Sequence, residues 1–583
     1  MRKLKLGLAA LLAAASLGAP VVTAGAGPAG GSNTTGAASP AAAEELTGEL
    51  VVLYADGVDG ATARTAIRSA GGTILDEVHS VGLAKVFTEN ADFVRQVTAS
   101  GVAKGVARNH SVGTSRPGMA HKYAQERALE DRASFNPGGH GANNALGVGV
   151  APKKPGPETF SHLQWGLDMI DAPEAHATTK GAGVLVGIID TGIDAAHPDL
   201  AANFNAALSQ NFTTDIPAID GPCEYMPSCK DPANVDHGGH GTHVAGIVAA
   251  DDNGLGIMGV APDATLVNLR AGQDSGYFFF FETVAAIAAA GAKGIDVVNM
   301  SFYTDPWLYN CNSPDDILIG TVTPAELAQQ TMIRAGILAA VAEARAAGVT
   351  LVSSSGNQHA NLAAGVPRFD DTSPDYPPGI AKPLTVTSDC LDLPSEAPGV
   401  IQVSALGPST LKADYSTYGL GAIDVSAPGG WYRDYIGTRF FMEPENMILS
   451  TYPVQVAAEE GAVNPGGGLR DPHFYRRDCT EGKPCAYYQF LQGTSMAAPH
   501  ATGVVALIIA AYRDAHGVDP TPDQVTAILE GSAVDTPCPN PVDLIYTDEG
   551  RPASWTASCT GTPDENAVYG EGIINAANAV AAV

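Results

Sequence analysis

A carboxylate, an imidazole and a hydroxyl each stand at the end of an apolar segment in this sequence, and together they are the groups of nucleophilic catalysis. Asp190-Thr191-Gly192 closes the apolar run Val184–Ile189. His240-Gly241-Thr242-His243-Val244-Ala245-Gly246 opens a stretch of small residues, and Gly493-Thr494-Ser495-Met496-Ala497-Ala498-Pro499 opens a long apolar one. Ser355-Gly356-Asn357 follows a fourth run, Thr350–Ser354. A hydroxyl is a poor nucleophile until a base takes its proton, and an imidazole of reference pKa ~6.5 is such a base near neutral pH. A strand-terminal Asp alone is usually a turn residue, so the weight lies in three such groups at element termini. The histidines at 237, 240 and 243 suggest a metal site, but Gly238, Gly239 and Gly241 oppose a helix through all three and no H-E-x-x-H is present. His243 reads as a packed, hydrogen-bonded residue.

The elements that must position these groups are strands and helices in alternation. Val184–Ile189, Thr265–Leu269, Val297–Met300, Thr350–Ser354 and Val400–Ser404 are apolar strands, with helical spacing at Glu282–Ala290, Gly336–Ala347 and Thr494–Arg513. Continuous apolar strands separated by helices predict an α/β fold with a mostly parallel, doubly wound sheet covered on both faces. Functional groups in such sheets gather beyond the carboxyl ends of the strands. Upstream, strands at Leu50–Tyr54, Thr73–His79, Leu83–Phe87 and Val102–Ala107 alternate with helical patterns at Ala61–Ala70 and Ala91–Ala99. That β-α-β-β-α-β order predicts a small α+β, ferredoxin-like module.

Composition bounds the rest. The 583 residues carry 32 Lys+Arg against 62 Asp+Glu, a net charge of −30, with 45% hydrophobic and 16% charged residues. The chain has enough apolar residues for a core, and its charge repels a phosphate backbone, which excludes a nucleic-acid partner. Arg2, Lys3 and Lys5 before the run Leu6–Leu17 and the small residues up to Ala24 form a secretory signal over 1–24. The run is shorter than the ~20 residues of a span, so no membrane association is expected once the signal is removed. A flexible linker follows over 25–47, then the α+β module at 48–115, a Pro/Gly-rich processing region at 116–158 and the main domain at 159–583. Eight cysteines fit disulfides of an oxidising compartment, and Cys223/Cys229 and Cys479/Cys485 lie close enough in sequence to suggest two pairs. Export and a monomeric state are the resulting expectations.

The four motifs, in the order Asp…His…Asn…Ser, with Tyr569-Gly570-Glu571-Gly572-Ile573-Ile574-Asn575 at the close, resemble those of subtilisin-like serine endopeptidases. The resemblance implies that Ser495 is the nucleophile, His240 its base, and Asp190 the group that orients and stabilises the imidazole. It also implies an oxyanion hole from the Asn357 amide and the Ser495 backbone N–H. The module at 48–115 is similar to the inhibitory propeptide that precedes many subtilisins, so the chain's own propeptide would be its first partner. Protein or peptide substrates are implied, bound as an added strand at Ser301-Phe302-Tyr303 and at Ser275-Gly276-Tyr277. Phe302 and Tyr303 depart from the small residues common in the family, and Asp392 before Leu393-Pro394 is a candidate pocket base favouring Lys or Arg at the cleaved position. No cofactor for catalysis is implied. A structural Ca2+ is, because Asp251-Asp252-Asn253-Gly254-Leu255-Gly256-Ile257 resembles the family's calcium loop, with Asp199 and Asn253 side chains and the Leu255 and Ile257 carbonyls as ligands. Two stretches, Asn205–Asp236 and Tyr303–Thr331, read as insertions near the cleft.

Overall fold

The computed structural model describes residues 47–109, 158–377, 379–480 and 484–583. The expected signal peptide and nearly all of the two linkers lie outside the described residues.

Strands β1 (Gly48–Tyr54), β2 (Gly72–Val78), β3 (Leu83–Thr88) and β4 (Ala103–Arg108) form an antiparallel sheet in the order β2-β3-β1-β4, with helices at Gly60–Ser69 and Phe93–Ala99. This is the expected ferredoxin-like module. The apolar run of β1 is continuous because both faces are covered. Leu50 and Val52 pack with Ile67, Phe93 and Val97 inside the module, whereas Val51 and Leu53 join a core with Phe281, Met332 and Ile333 of the main domain. Polar contacts fix the docking. Lys85 Nζ lies 2.8 Å from Glu282 Oε1, Asn109 Nδ2 donates to Glu282 Oε2 at 2.8 Å, and the Phe281 N–H donates to Asn109 Oδ1 at 2.8 Å.

The main domain carries a seven-stranded parallel sheet: β5 (Leu185–Ile189), β6 (Gln210–Asn211), β7 (Thr265–Arg270), β8 (Val297–Met300), β10 (Thr350–Ser354), β13 (Val400–Leu406) and β14 (Val425–Pro428), in the order β14-β13-β10-β8-β5-β7-β6. Helices His240–Ala249 and Thr494–His516 pack on one face through Val186, Ile188 and Val352. Helices Phe280–Ala292 and Pro324–Ala346 pack on the other through Val267, Val298 and Leu351. The chain leaves β5 for β7 on one side and returns to β8 on the other, so the switch point lies between β5 and β8, where such sheets hold ligands. Asp190 follows β5 and Ser301 follows β8.

Three small antiparallel elements complete the domain. They are β9 (Ile317–Ile319) with β11 (Arg368–Asp370) and β12 (Leu384–Val386), β15 (Ile448–Thr451) with β16 (Tyr475–Asp478) and β17 (Ala486–Leu491), and the pair β18 (Asp543–Leu544) and β19 (Ala557–Ser558). All eight cysteines are paired: Cys223–Cys229, Cys311–Cys390, Cys479–Cys485 and Cys538–Cys559.

Two helices differ in extent from the sequence reading. The helix expected at Gly336 starts at Pro324, where Thr323 and Glu326 form a capping box, so the end of the stretch 303–331 lies in this helix. The helix from Thr494 runs to His516 and is long and apolar enough to cross a membrane, but its most apolar window is wholly buried in the core. Pro499 lies inside that helix, beyond its first turn.

Candidate active site

Asp190 is fully buried at the carboxyl end of β5, its carbonyl held by the N–H groups of Ala271 at 3.2 Å and Gly272 at 3.1 Å. Its Oδ1 accepts from the Thr191 N–H at 2.7 Å and faces His240 Nδ1 at 2.8 Å. Burial pushes the Asp190 carboxyl upward, and the adjacent imidazole opposes that shift. His240 is the first residue of its helix, and Gly241 lets the helix end approach this closely: a Cβ there would stand 2.2 Å from the Gly192 carbonyl oxygen and 3.0 Å from Asp190 Cβ.

Sequence reasoning missed the residue that clamps this arrangement. Asp236, fully buried, accepts at Oδ1 from the Thr191 hydroxyl (3.0 Å) and the N–H groups of Gly238 (3.0 Å) and Gly239 (2.8 Å). Its Oδ2 accepts from the Thr242 N–H (2.9 Å) and hydroxyl (2.6 Å). One carboxylate thus satisfies orphan donors around the helix N-terminus and ties it to the Asp190 loop. An acidic residue just upstream of a helix start was the available signal. His243 is a packed residue: fully buried, its Nε2 meets the carbonyls of Ile448 (3.2 Å) and Gln489 (3.0 Å), and burial drives its pKa down to about 3.

Ser495 sits in the first turn of the helix Thr494–His516. Pro499 has no N–H to give to the Ser495 carbonyl, and the Ser301 hydroxyl takes that place, donating to it at 3.0 Å. Asn299 Nδ2 donates to Ser301 Oγ at 2.9 Å, and Thr502 Oγ1 donates to Asn299 Oδ1 at 3.0 Å. The end of β8 and the turn that carries Ser495 are therefore one hydrogen-bonded unit. Asn357 is oriented with equal definition. Its Oδ1 accepts from the Thr494 N–H and the Thr494 hydroxyl, both at 2.9 Å, which assigns Nδ2 as the end turned away from the helix.

Ser495, Asn357, Ser301 and Asp392 line one cavity of about 860 Å³, together with Phe302 and Tyr303. Asp392 is buried, and its Oδ2 is 3.5 Å from where a Cβ on Gly356 would sit. Asp370 and Asp371 line the same cavity, whereas its one arginine, Arg368, is held by Glu396 through contacts of 2.5 and 2.7 Å. Phe302 stacks on Phe278 with ring centroids 3.9 Å apart, and the Tyr303 hydroxyl donates to Asp375 Oδ2 at 2.6 Å. Ser275 and Gly276 lie outside the residues lining this cavity, and the Ser275 N–H donates to Asp220 Oδ1 at 3.0 Å.

Of the residues expected to hold calcium, Asp199, Asn253 and Ile257 are brought together. Asn253 Nδ2 lies 3.3 Å from Asp199 Oδ1, and Asp199 Oδ2 accepts from the Tyr488 hydroxyl at 2.8 Å and the Ile257 N–H at 3.3 Å. A cation here calls for the Asn253 amide turned end for end, presenting oxygen. Glu158, not singled out from sequence, joins this loop: Oε1 accepts from the Gly254 N–H at 3.0 Å, and Oε2 is buried with no hydrogen-bond donor among the described residues. Burial pushes both Asp199 and Glu158 up to about 7. Buried carboxylates from two separate segments meeting one loop are a donor set that fits a hard cation.

A parallel α/β sheet with a buried Asp–His pair at its switch point and a serine opening a core helix defines a serine endopeptidase of the Asp–His–Ser class. The model of the Subtilase family matches residues 181–572, and the chain belongs to that family. Among curated relatives, thermitase of Thermoactinomyces vulgaris is 27% identical over 360 residues, covering 62% of this chain and 86% of thermitase. Fervidolysin of Fervidobacterium pennivorans is 29% identical over 389 residues, covering 65% of this chain and 41% of fervidolysin. The crystal structure of the epidermin leader peptide processing serine protease from Staphylococcus aureus shares the fold, with TM-score 0.57 at 18% identity over 91% of this chain and 97% of that one.

Proposed function

We propose that the chain is a secreted endopeptidase made as a zymogen, in which Ser495 attacks the peptide carbonyl, His240 takes its proton and Asp190 holds the imidazole. The observation that carries this reading is the 2.8 Å contact between His240 Nδ1 and the buried Asp190 Oδ1, which leaves Nε2 as the nitrogen for proton transfer. Asn357 Nδ2 and the Ser495 N–H stabilise the oxyanion. Asn357→Ala should lower kcat about 10²–10³-fold with KM little changed, measured on a chromogenic peptide; an unchanged kcat contradicts that role.

The module at 48–115 acts as the inhibitory propeptide, and residues 116–158 contain the cut. Its docking on the helices Phe280–Ala292 and Pro324–Ala346 supports this, because local antiparallel structure forms faster than a parallel sheet and offers that sheet a template. Exported wild-type protein should begin between residues 116 and 158, whereas Ser495→Ala purified free of other proteases should retain the module covalently. A processed Ser495→Ala chain, or an active enzyme that is never cut, contradicts self-processing. Four disulfides support an oxidising compartment outside the cytoplasm.

The cavity favours Lys or Arg on the acyl side of the cleaved bond, with Asp392 as the partner of that charge. Three carboxylates line it, and its arginine is already neutralised by Glu396. Asp392→Asn should lower kcat/KM on Arg-containing peptides roughly 10²-fold, the scale of one buried charge contact of about 3 kcal/mol, and leave Leu-containing peptides unaffected. Equal losses on both contradict the assignment.

The Asp199–Asn253 loop, with the Leu255 and Ile257 carbonyls and Glu158, holds a structural calcium ion. Chelation should lower the melting temperature by roughly 3 °C, the effect on a domain of this size of losing an ion present at about 100 times its Kd. A melting temperature unmoved by chelator contradicts it.

A further inference from the structure

The cavity that holds Ser495 and Asn357 has a wall built by a segment far along the chain. Pro552, Ser554 and Trp555 line it, and they belong to the loop that Cys538–Cys559 closes across a separation of 21 residues. Three contacts fix that loop against the cavity. Arg551 Nε lies 2.5 Å from Asp414 Oδ2, and the Tyr546 hydroxyl donates to the Lys412 carbonyl at 3.0 Å. The Trp555 indole stacks on His359, with ring centroids 5.1 Å apart and planes 10° apart, and the Arg551 guanidinium carbon lies 4.5 Å from the indole centroid. His359 follows Asn357 by two positions and holds a left-handed φ of 54°, a conformation kept by a non-glycine residue only where its surroundings dictate it. Its Nδ1 lies 3.2 Å from Nζ of the fully buried Lys412, and the ring of Tyr418, which also lines the cavity, is 5.5 Å away. The wall is therefore aromatic on its cavity side and clamped from behind. The cavity has room for more than the side chain at Asp392, because its volume of about 860 Å³ falls in the range that takes a drug-sized ligand.

We infer that Trp555, with Tyr418 and Pro552, is a specificity-determining wall that seats a bulky apolar side chain of the peptide substrate, distinct from the side chain at Asp392. The inference rests on the proposed peptide hydrolysis. A clamped aromatic surface suits this task, since the large area it offers to an apolar group costs little ordering on binding. The loop that carries Trp555 is exposed at Pro552 and Ser554 and supplies none of the groups that act on the peptide bond. Its contribution falls on which peptide is held, so its removal should be felt in KM.

The test is steady-state cleavage of fluorogenic peptides by the active enzyme. Arg or Leu stands at the cleaved position, and each neighbouring position is set in turn to Gly, Leu and Phe. At one of those positions the wild-type enzyme should prefer Leu and Phe over Gly by roughly 10-fold or more in kcat/KM. Trp555→Ala should abolish that preference through KM, with kcat and melting temperature retained. Trp555→Phe, which keeps a ring against His359, should restore most of it. A wild-type enzyme that cleaves these peptides with no apolar preference at any neighbouring position overturns the inference and leaves the hydrolase reading standing. A Trp555→Ala enzyme that keeps the preference, or loses activity equally on the Gly and Phe peptides, does the same. A wild-type chain that cleaves none of them and takes no fluorophosphonate on Ser495 overturns the hydrolase reading, and this inference with it. Comparing the Arg and Leu series separates the outcome from the assignment of Asp392.

Discussion

Ser495→Ala should abolish hydrolysis, lowering kcat on a peptide substrate by ~10⁶. In the proposed mechanism the hydroxyl forms the acyl bond, and the nearby Ser301 hydroxyl is committed to the Ser495 carbonyl at 3.0 Å. The substitution should cost the fold little, because the contact of the Ser495 hydroxyl with the Ser301 carbonyl is a long one, 3.4 Å. Peptide binding should survive, since the cavity and Asn357 are untouched. Loss of kcat with a retained melting temperature, read by turnover and by calorimetry on the same sample, is the expected pair. A variant that still cleaves within 10-fold of wild type contradicts the assignment.

Asp190→Asn should lower kcat by ~10⁴ near neutral pH, with KM nearly constant. The amide keeps the volume and can still accept from the Thr191 N–H, so the strand end stays in place. It cannot offset the imidazolium that forms at His240, and its N–H₂ competes for Nδ1 and favours the wrong tautomer. Stability should not fall, because a fully buried carboxylate, pushed upward by burial, is replaced by a neutral group. A fall in melting temperature that accounts for the lost rate would assign Asp190 a structural role instead.

Much of this was legible because the chemistry sits at element ends. Leu50–Tyr54 is apolar without interruption and Val297–Met300 is broken only at Asn299, and each proved to be covered on both faces. Asp190, His240, Asn357 and Ser495 follow strands or open helices, so a list of strand ends already contained them. What the sequence hid lies where a partner decides. Val425–Pro428 is four residues long and is a strand only because β13 pairs with it. Asp236 closes an irregular segment, and its role depends on the five donors that folding brings to it. Glu158 ends a linker and meets its loop across 96 residues. The start at Pro324, by contrast, was readable: Thr323-Pro324-Ala325-Glu326 is a capping box with Pro at the first helical position, passed over because the stretch before it lacked apolar periodicity.

The central claim is that Asp190, His240 and Ser495 act as one unit. The most direct measurement is mass-spectrometric mapping of the adduct formed by a serine-directed fluorophosphonate. A single adduct is expected on Ser495 in the wild-type enzyme, with its loss in His240→Ala under identical conditions. An adduct on another serine, or an enzyme that digests casein while Ser495 stays unlabelled, would contradict it.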